Sequence, residues 1–239
     1  RDVDITNIRC VDPDCYSPAL AEPTLSQLTF DGASDYIEGP QAFTDYDETL
    51  VITTEVEDWS GGNVGACWTA ANGGYQLRWN TGGIRVWVID SGLTSVYLDY
   101  PVVDTTLARH TYEVTLEVSS MFGAGDANIT LKVDGQSVAP TGGTFGGDMA
   151  PIGTTHTHRV GFSPYGSFTA HNYKVAVEDV TAFEYDFTKY LGRYTEVISD
   201  ESGNGNDGTI STSSGLSTMW KTRWVNRVVG PDTSVVQYA

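Results

Sequence analysis

Hydrophobic and polar residues alternate with a period of two over most of the stretch from residue 26 to residue 210, the pattern of strands with one buried and one wet face. In Glu48–Glu57, Leu50, Ile52 and Val56 fall on one side, with threonine and glutamate on most of the other. Tyr112, Val114, Leu116 and Val118 alternate with Glu113, Thr115 and Glu117, and Asn128–Asp134 alternates as cleanly before the turn at Asp134-Gly135. Gly74–Trp79, Gly83–Asp90 and Leu93–Leu98 are separated by Asn80-Thr-Gly-Gly83 and Asp90-Ser-Gly92, which predicts three successive hairpin-linked strands. Ser26–Phe30 and Ser34–Glu38 flank Asp31-Gly-Ala, a hairpin-like turn signal. His158–Phe162, Phe168–Val177, with Tyr173, Val175 and Val177 on one face, and Phe183–Phe187 complete the series. Only Leu216 to Val228 hints at helical spacing, and it is rich in β-formers. Roughly a dozen strands about ten residues apart, with glycine-rich turns between, predict an all-β, two-sheet antiparallel jelly-roll sandwich.

Outside the periodic region the pattern fails. Residues 1–25 hold three of the nine prolines and read as an extended N-terminal arm. Residues 26–210 are the sandwich, and residues 211–239 a C-terminal extension. At 239 residues, one domain with short extensions is within the range of a single β-sandwich. Residues 140–155 form the longest internal loop, and loops of that length often carry binding surfaces.

Charge narrows the partners. Thirteen basic against thirty-one acidic residues give −18, which repels phosphate backbones and anionic lipid, so nucleic acid and membrane surfaces are disfavoured partners. No run of 18 apolar residues exists and the first residues lack the regions of a signal peptide, so the expectation is a soluble chain. Cys10, Cys15 and Cys67 are too few for a disulfide framework, although Cys10 and Cys15 flank a Val-Asp-Pro-Asp turn that could bring them together. His156 and His158 share a face of a strand, as surface residues or as a metal pair.

The stretch Asp200–Ile210 (DESGNGNDGTI) alternates oxygen-bearing side chains with three glycines and can hold only a tight, irregular loop. Asp200, Ser202 and Asn204 followed by Gly205 imitate the first half of a calcium loop, but no glutamate stands at position twelve. Two readings stay open. In one, Asp200, Ser202, Asn204, Asn206 and Asp207 hold Ca2+, completed by carbonyls or by Asp31 or Asp35; in the other they bond nearby backbone amides and no cofactor is required.

Three stretches carry a resemblance. Leu28–Glu38 (LTFDGASDYIE) resembles the F-D-G-x-x-D-Y-[IV]-E strand pair of the laminin-G-like, concanavalin A-like lectin/glucanase superfamily. Leu131–Gln136 (LKVDGQ) is similar to its L-x-V-D-G-x hairpin, and Tyr185-Asp-Phe followed by Asp200–Ile210 to its D-x-S-G-N-G-N-x-G-T element. The resemblance implies a concanavalin A-like jelly roll of two curved antiparallel sheets. In commoner secreted members the last element precedes the strand pair, whereas here it follows the whole sandwich. This permuted order resembles that of structural proteins of tailed bacteriophages, and implies a virion-surface location as a capsid decoration or fibre subunit, oligomeric among other virion proteins.

Candidate chemistry is sparse. The superfamily's glucanases set carboxylates on alternate positions of one strand, about 5–5.5 Å apart in retaining enzymes. Glu55 and Glu57, or Glu184 and Asp186, share faces but lack the third carboxylate, and acids on wet faces are ordinary in so acidic a chain. The expectation is no catalytic residues and no enzyme. Six tryptophans and thirteen tyrosines offer flat faces for sugar rings, and Trp59, Trp68 and Trp87 are the candidate host-glycan ligands. Trp79 shares a face with Tyr75 and Leu77 and reads as core; Trp87 lies opposite Ile84, Val86 and Val88. Trp220, Lys221, Arg223, Trp224 and Arg227 make a basic and aromatic cluster, a candidate docking segment for an acidic or apolar partner surface. The function expected is that of a non-enzymatic virion protein with host-glycan adhesion, the alternatives being a secreted lectin module and a glycoside hydrolase.

Overall fold

A computed structural model describes residues 22–31, 33–41, 49–61, 63–69, 73–80, 83–89, 95–101, 109–117, 129–144, 157–161, 166–190, 195–229 and 234–237. Cys10, Cys15, His156 and most of the loop expected at 140–155 lie outside these residues. In chain order the strands are β1 (Glu22–Phe30), β2 (Tyr36–Gln41), β3 (Thr49–Glu57), β4 (Asn63–Thr69), β5 (Gly73–Asn80), β6 (Gly83–Ile89), β7 (Ser95–Pro101), β8 (His110–Glu117) and β9 (Ile129–Val133). There follow β10 (Gln136–Val138), β11 (Gly142–Thr144), β12 (Thr157–Val160), β13 (Phe168–Val177), β14 (Val180–Asp186), β15 (Val197–Ile198), β16 (Gly208–Ser211), β17 (Trp220–Val229) and β18 (Ser234–Gln237). One helical turn, α1 (Leu216–Met219), precedes β17.

The strands form two antiparallel sheets. The first runs β10-β9-β8-β3-β13-β1-β17-β18, with β14 beside β1 along the same edge of β13; the second runs β11-β7-β6-β5-β4-β12-β2-β16-β15. Period-two alternation is what makes this possible. Leu50, Ile52 and Val56, then Tyr112, Val114 and Leu116, then Ile129, Leu131 and Val133 all turn inward and are buried. They meet Tyr75, Leu77, Ile84, Val86, Leu98 and Tyr100 from the second sheet. The close approach of the sheets demands Gly65 on β4, where a Cβ would stand 2.2 Å from the Tyr173 hydroxyl oxygen of β13. In β13 the expected face of Tyr173, Val175 and Val177 turns inward: the first two are buried and Val177, half-buried, packs against the core. Opposite Val175 and Ala176, β14 carries one extra residue, Ala182, a bulge in that strand.

Several expectations change. Asp31–Asp35 is not a hairpin, because β1 lies in the first sheet and β2 in the second. It is a crossover held by the Asp31 carboxylate, which accepts the amides of Ala33, Ser34 and Asp35. His158 is not a surface residue: it is fully buried, stacked edge-on to Phe183 and bonded through Nδ1 to the Tyr75 hydroxyl at 2.7 Å. Strand β12 is interior to its sheet, between β4 and β2, so its inward positions face the core. The ends are also closer to the sandwich than the division at 25 and 211 implies. Residues 22–25 begin β1, and β17 pairs with β1 over Glu22–Leu28.

Candidate functional site

The outer face of the second sheet carries the densest chemistry. Cross-strand register sets Gln76, Trp87 and Tyr97 side by side on β5, β6 and β7, and Arg78, Arg85 and Asp99 in the adjoining row. Alternation puts all six opposite the buried Tyr75, Leu77, Ile84, Val86, Leu98 and Tyr100. The Gln76 row continues through Ala66 on β4 and Arg159 on β12 to Glu38 on β2.

Each arginine of this face lies on an aromatic ring. The Arg78 guanidinium carbon is 4.5 Å from the centre of the Trp87 ring, that of Arg85 3.7 Å from Tyr97, and that of Arg159 4.7 Å from Tyr36. Such stacking holds a planar cation flat against the ring. Arg85 bonds Asp99, with Nε to Oδ1 at 2.6 Å and Nη2 to Oδ2 at 2.8 Å, a bidentate pair that raises the arginine's already high pKa. Arg159 reaches Glu38 at 3.4 Å. Trp87 is half-buried, and its Nε1–H is shielded with no acceptor among the described residues. Trp87 therefore sits where its alternation predicts. Its neighbours Gln76, Arg78, Arg85, Tyr97 and Asp99 were not foreseen as partners: alternation gives their face, but only strand register shows that they adjoin.

The other glycan candidates differ. Trp59 is 1% exposed and packs edge-on against Tyr112 with ring centres 5.3 Å apart, a core residue with no face for a sugar. For Trp68, as for Cys67 and Trp79, the structure describes the backbone alone; Trp68 pairs with Gly74.

The Asp200 loop lies between β15 and β16 of the second sheet and fastens onto β14 of the first. Asp200 Oδ1 accepts the amides of Glu184 and Ser202, both at 2.9 Å, and Oδ2 accepts the Ser202 hydroxyl at 2.7 Å and the Asn206 amide at 3.0 Å. Asn204 Nδ2 donates to the carbonyls of Thr181 and Ala182, and Asn206 Nδ2 to that of Ala182. The Glu201 amide donates to the Glu184 carbonyl, and Asp207 Oδ1 accepts the Asp200 amide. Burial raises the Asp200 pKa, but the bonds from Ser202, Glu184 and Asn206 outweigh it and hold the carboxyl below its ordinary range. The loop thus stands in for a strand along the outer edge of β14, and a cation would have to displace donors already bonded to Asp200. Among the described residues no group of three or more His, Cys, Asp or Glu side chains is arranged to hold a metal ion.

The carboxylate pairs considered for catalysis face the other side of the sandwich. Glu55 accepts from Arg109 Nη2 at 2.6 Å and from Asn172 Nδ2 at 3.2 Å. Glu57 lies 3.4 Å from Nε2 of His171, a 2%-exposed residue at a bulge in β13. Desolvation and the Arg109 charge lower the His171 pKa against the upward pull of Glu57 and Glu55. Glu184 stands 3.8 Å from Lys174, and Asp186 caps the 3-10 turn that follows it by accepting from Thr188. These acids are salt-bridged or capping groups.

Of the basic and aromatic cluster, Trp220 is buried, donates from Nε1 to the Thr195 carbonyl at 3.2 Å and packs on Tyr190. It is therefore part of the sandwich. Lys221 is exposed. Arg223, Trp224 and Arg227 are placed by their backbone in β17, opposite Leu25, Pro23 and Val236.

No protein-family model matches the chain, and no curated protein matches it in sequence. Solved structures resemble it to differing degrees. A protein of Bacteroides ovatus described as a candidate carbohydrate-binding protein aligns over 90% of this chain and 62% of its own length, with a TM-score of 0.53 and 13% identity. The laminin α1 LG4-5 domains of mouse align over 72% of this chain and 48% of theirs, with a TM-score of 0.46 and 12% identity. A heptameric SAP-like pentraxin of Limulus polyphemus aligns over 64% of this chain and 76% of its own, with a TM-score of 0.45 and 10% identity. The chain thus spans less than two thirds of the Bacteroides protein. At 13% identity the likeness to the Bacteroides protein is one of fold alone.

Proposed function

We propose that the chain is a non-catalytic carbohydrate-binding module that receives a saccharide on the outer face of its second sheet. The observation that carries this reading is the row Gln76–Trp87–Tyr97, two half-buried aromatic rings in cross-strand register beside a buried amide, flanked by arginines stacked on the rings. Ring faces stack on the apolar face of a pyranose while neighbouring amide and guanidinium groups supply directional hydrogen bonds. A platform fixed before binding loses little side-chain entropy. The fold shared with the Bacteroides protein supports the reading. Trp87→Ala and Tyr97→Ala are each expected to weaken glycan binding by about tenfold or more, the loss of one stacking contact, with melting temperature nearly unchanged. A glycan array on which the intact chain binds nothing would sink the reading.

A second reading concerns the setting. In the sequence the D-x-S-G-N-G-N-x-G-T element follows the F-D-G-x-x-D-Y strand pair instead of preceding it, and the pairing of β1 with β17 brings the two ends of the described chain together in one sheet. Adjoining ends make a permuted order physically cheap. Both features support a module carried on the surface of a tailed-phage virion among other virion proteins, against the alternative of a secreted lectin. Electron microscopy and mass spectrometry of particles decide between them: absence of the chain from the particle removes the virion reading and leaves glycan binding intact.

A further inference from the structure

His171 is the extra residue of a β-bulge. Along β13 the register with β3 passes from Ala170–Val56 to Asn172–Glu55, which leaves His171 with no residue opposite it on β3. The residue is almost wholly buried, and neither ring nitrogen has a hydrogen-bond partner. The nearest carboxylate is that of Glu57, 3.4 Å from Nε2, and Glu57 has no other ion-pair partner among the described residues. Beside it, Glu55 is held at both oxygens by Arg109, through Nε and Nη2, and at one of them by Asn172. While His171 is neutral, two carboxylates face one guanidinium and one negative charge goes unanswered; a single proton on His171 brings the four groups to balance. The other charged groups nearby are paired, exposed or a strand away. His110, opposite Val56, bonds Asp134; Asp186 of β14, opposite Asn172, stands beside Lys189; Asp58 after Glu57 is exposed. On the β1 side are the uncharged Gln27 and Thr29, with Lys221 of β17 opposite Gln27.

We infer that Glu55, Glu57, Arg109 and His171 form a proton-operated latch joining β3, the start of β8 and β13. With His171 neutral, Arg109 is the only cation in the cluster and ties the residue before β8 to β3. With His171 protonated, the imidazolium closes on Glu57 in a charge-assisted bond and repels Arg109, whose hold on Glu55 weakens. The proton and the arginine are thus negatively coupled. By linkage the coupling runs both ways, so removal of Arg109 makes His171 easier to protonate. Burial and Arg109 oppose the proton while Glu57 and Glu55 attract it, the opposition of terms from which a histidine switch is built. The latch lies on the first sheet, away from Trp87 and Tyr97 on the second, and is independent of the glycan-binding reading.

Nuclear magnetic resonance of the full chain, with histidine and arginine side chains labelled and assigned, tests this from about pH 8 to about pH 4, the range in which a histidine switch acts, with circular dichroism confirming the fold at each point. The expected result is that the His171 ring and the Arg109 Nε–H respond at one midpoint, with faster solvent exchange of that Nε–H below it. Arg109→Gln should raise the His171 midpoint and Glu57→Gln should lower it. Arg109→Lys, which keeps the charge, should leave the midpoint nearer to wild type than Arg109→Gln does. A His171 that stays neutral down to the pH at which the chain unfolds overturns the latch. So does a His171 midpoint unmoved in Arg109→Gln, or an Arg109 Nε–H that keeps its protection once His171 is protonated. Where a variant fails to fold, the two wild-type titrations decide alone: separate midpoints overturn the latch and a shared one supports it.

Discussion

His158 shows how much one side chain contributes once its position is known. It is fully buried, and desolvation lowers its pKa from 6.5 to about 3. A group whose folded pKa is depressed favours folding above its unfolded value; as pH falls from 6.5, the unfolded chain takes up a proton that the folded one refuses. Stability is therefore lost progressively between pH 6.5 and about 3. Asp31, Asp134 and Asp200, whose pKa values are also lowered, add their loss below the ordinary carboxylate range. Urea unfolding from pH 7 to 4 should thus show a steep decline, and His158→Gln should remove about one proton's share of the slope. A slope unchanged in that variant would show that His158 does not carry it.

Among the elements, the loop from Ser199 to Asp207 has the clearest mechanical role. Edge strands with unpaired N–H and C=O groups invite pairing with other chains, and here Asp200, Glu201, Asn204 and Asn206 occupy those groups on β14. Asp200→Ala strands three backbone amides and a hydroxyl, an expected loss of about 2–3 kcal/mol for a charged acceptor, with faster hydrogen exchange at the Glu184 amide. The wild-type melting temperature should be the same with millimolar Ca2+ and with chelator; a rise with Ca2+ would assign the loop to the metal instead. The composition of the loop is readable in the sequence. Which carbonyls and amides it meets depends on the packing of β14, 16 to 24 residues away, and no local pattern encodes that.

At the scale of the molecule, strands near both ends of the described residues, β1 and β17, lie side by side in the first sheet. The stretch expected to be an extension provides β17, and its Trp220 is buried between Tyr190 and the Thr195 carbonyl. Deleting residues 220–239 would leave the outer edge of β1 without a partner and remove a buried indole. The expected consequence is a lowered melting temperature, by well over the 2–4 °C that about 1 kcal/mol gives in a chain of this size, together with aggregation in light scattering. A truncated chain as stable and monomeric as the intact one would return this segment to the status of an appendage.

The sequence by itself determined the strands and their faces. Leu50, Ile52, Val56, Tyr112, Val114 and Leu116 lie where period-two alternation puts them, because burial of one face needs only local spacing. It also placed Trp87 outward and read the Asp200 stretch as a tight loop. The tertiary structure decided what no spacing contains: that Asp31–Asp35 crosses between sheets, that His158 and Trp59 are core, and that Trp87 has Gln76 and Tyr97 beside it and Arg78 above it. Alternation says which way a side chain points, but strand order and register say what it meets, and those are set by the joint packing of both sheets.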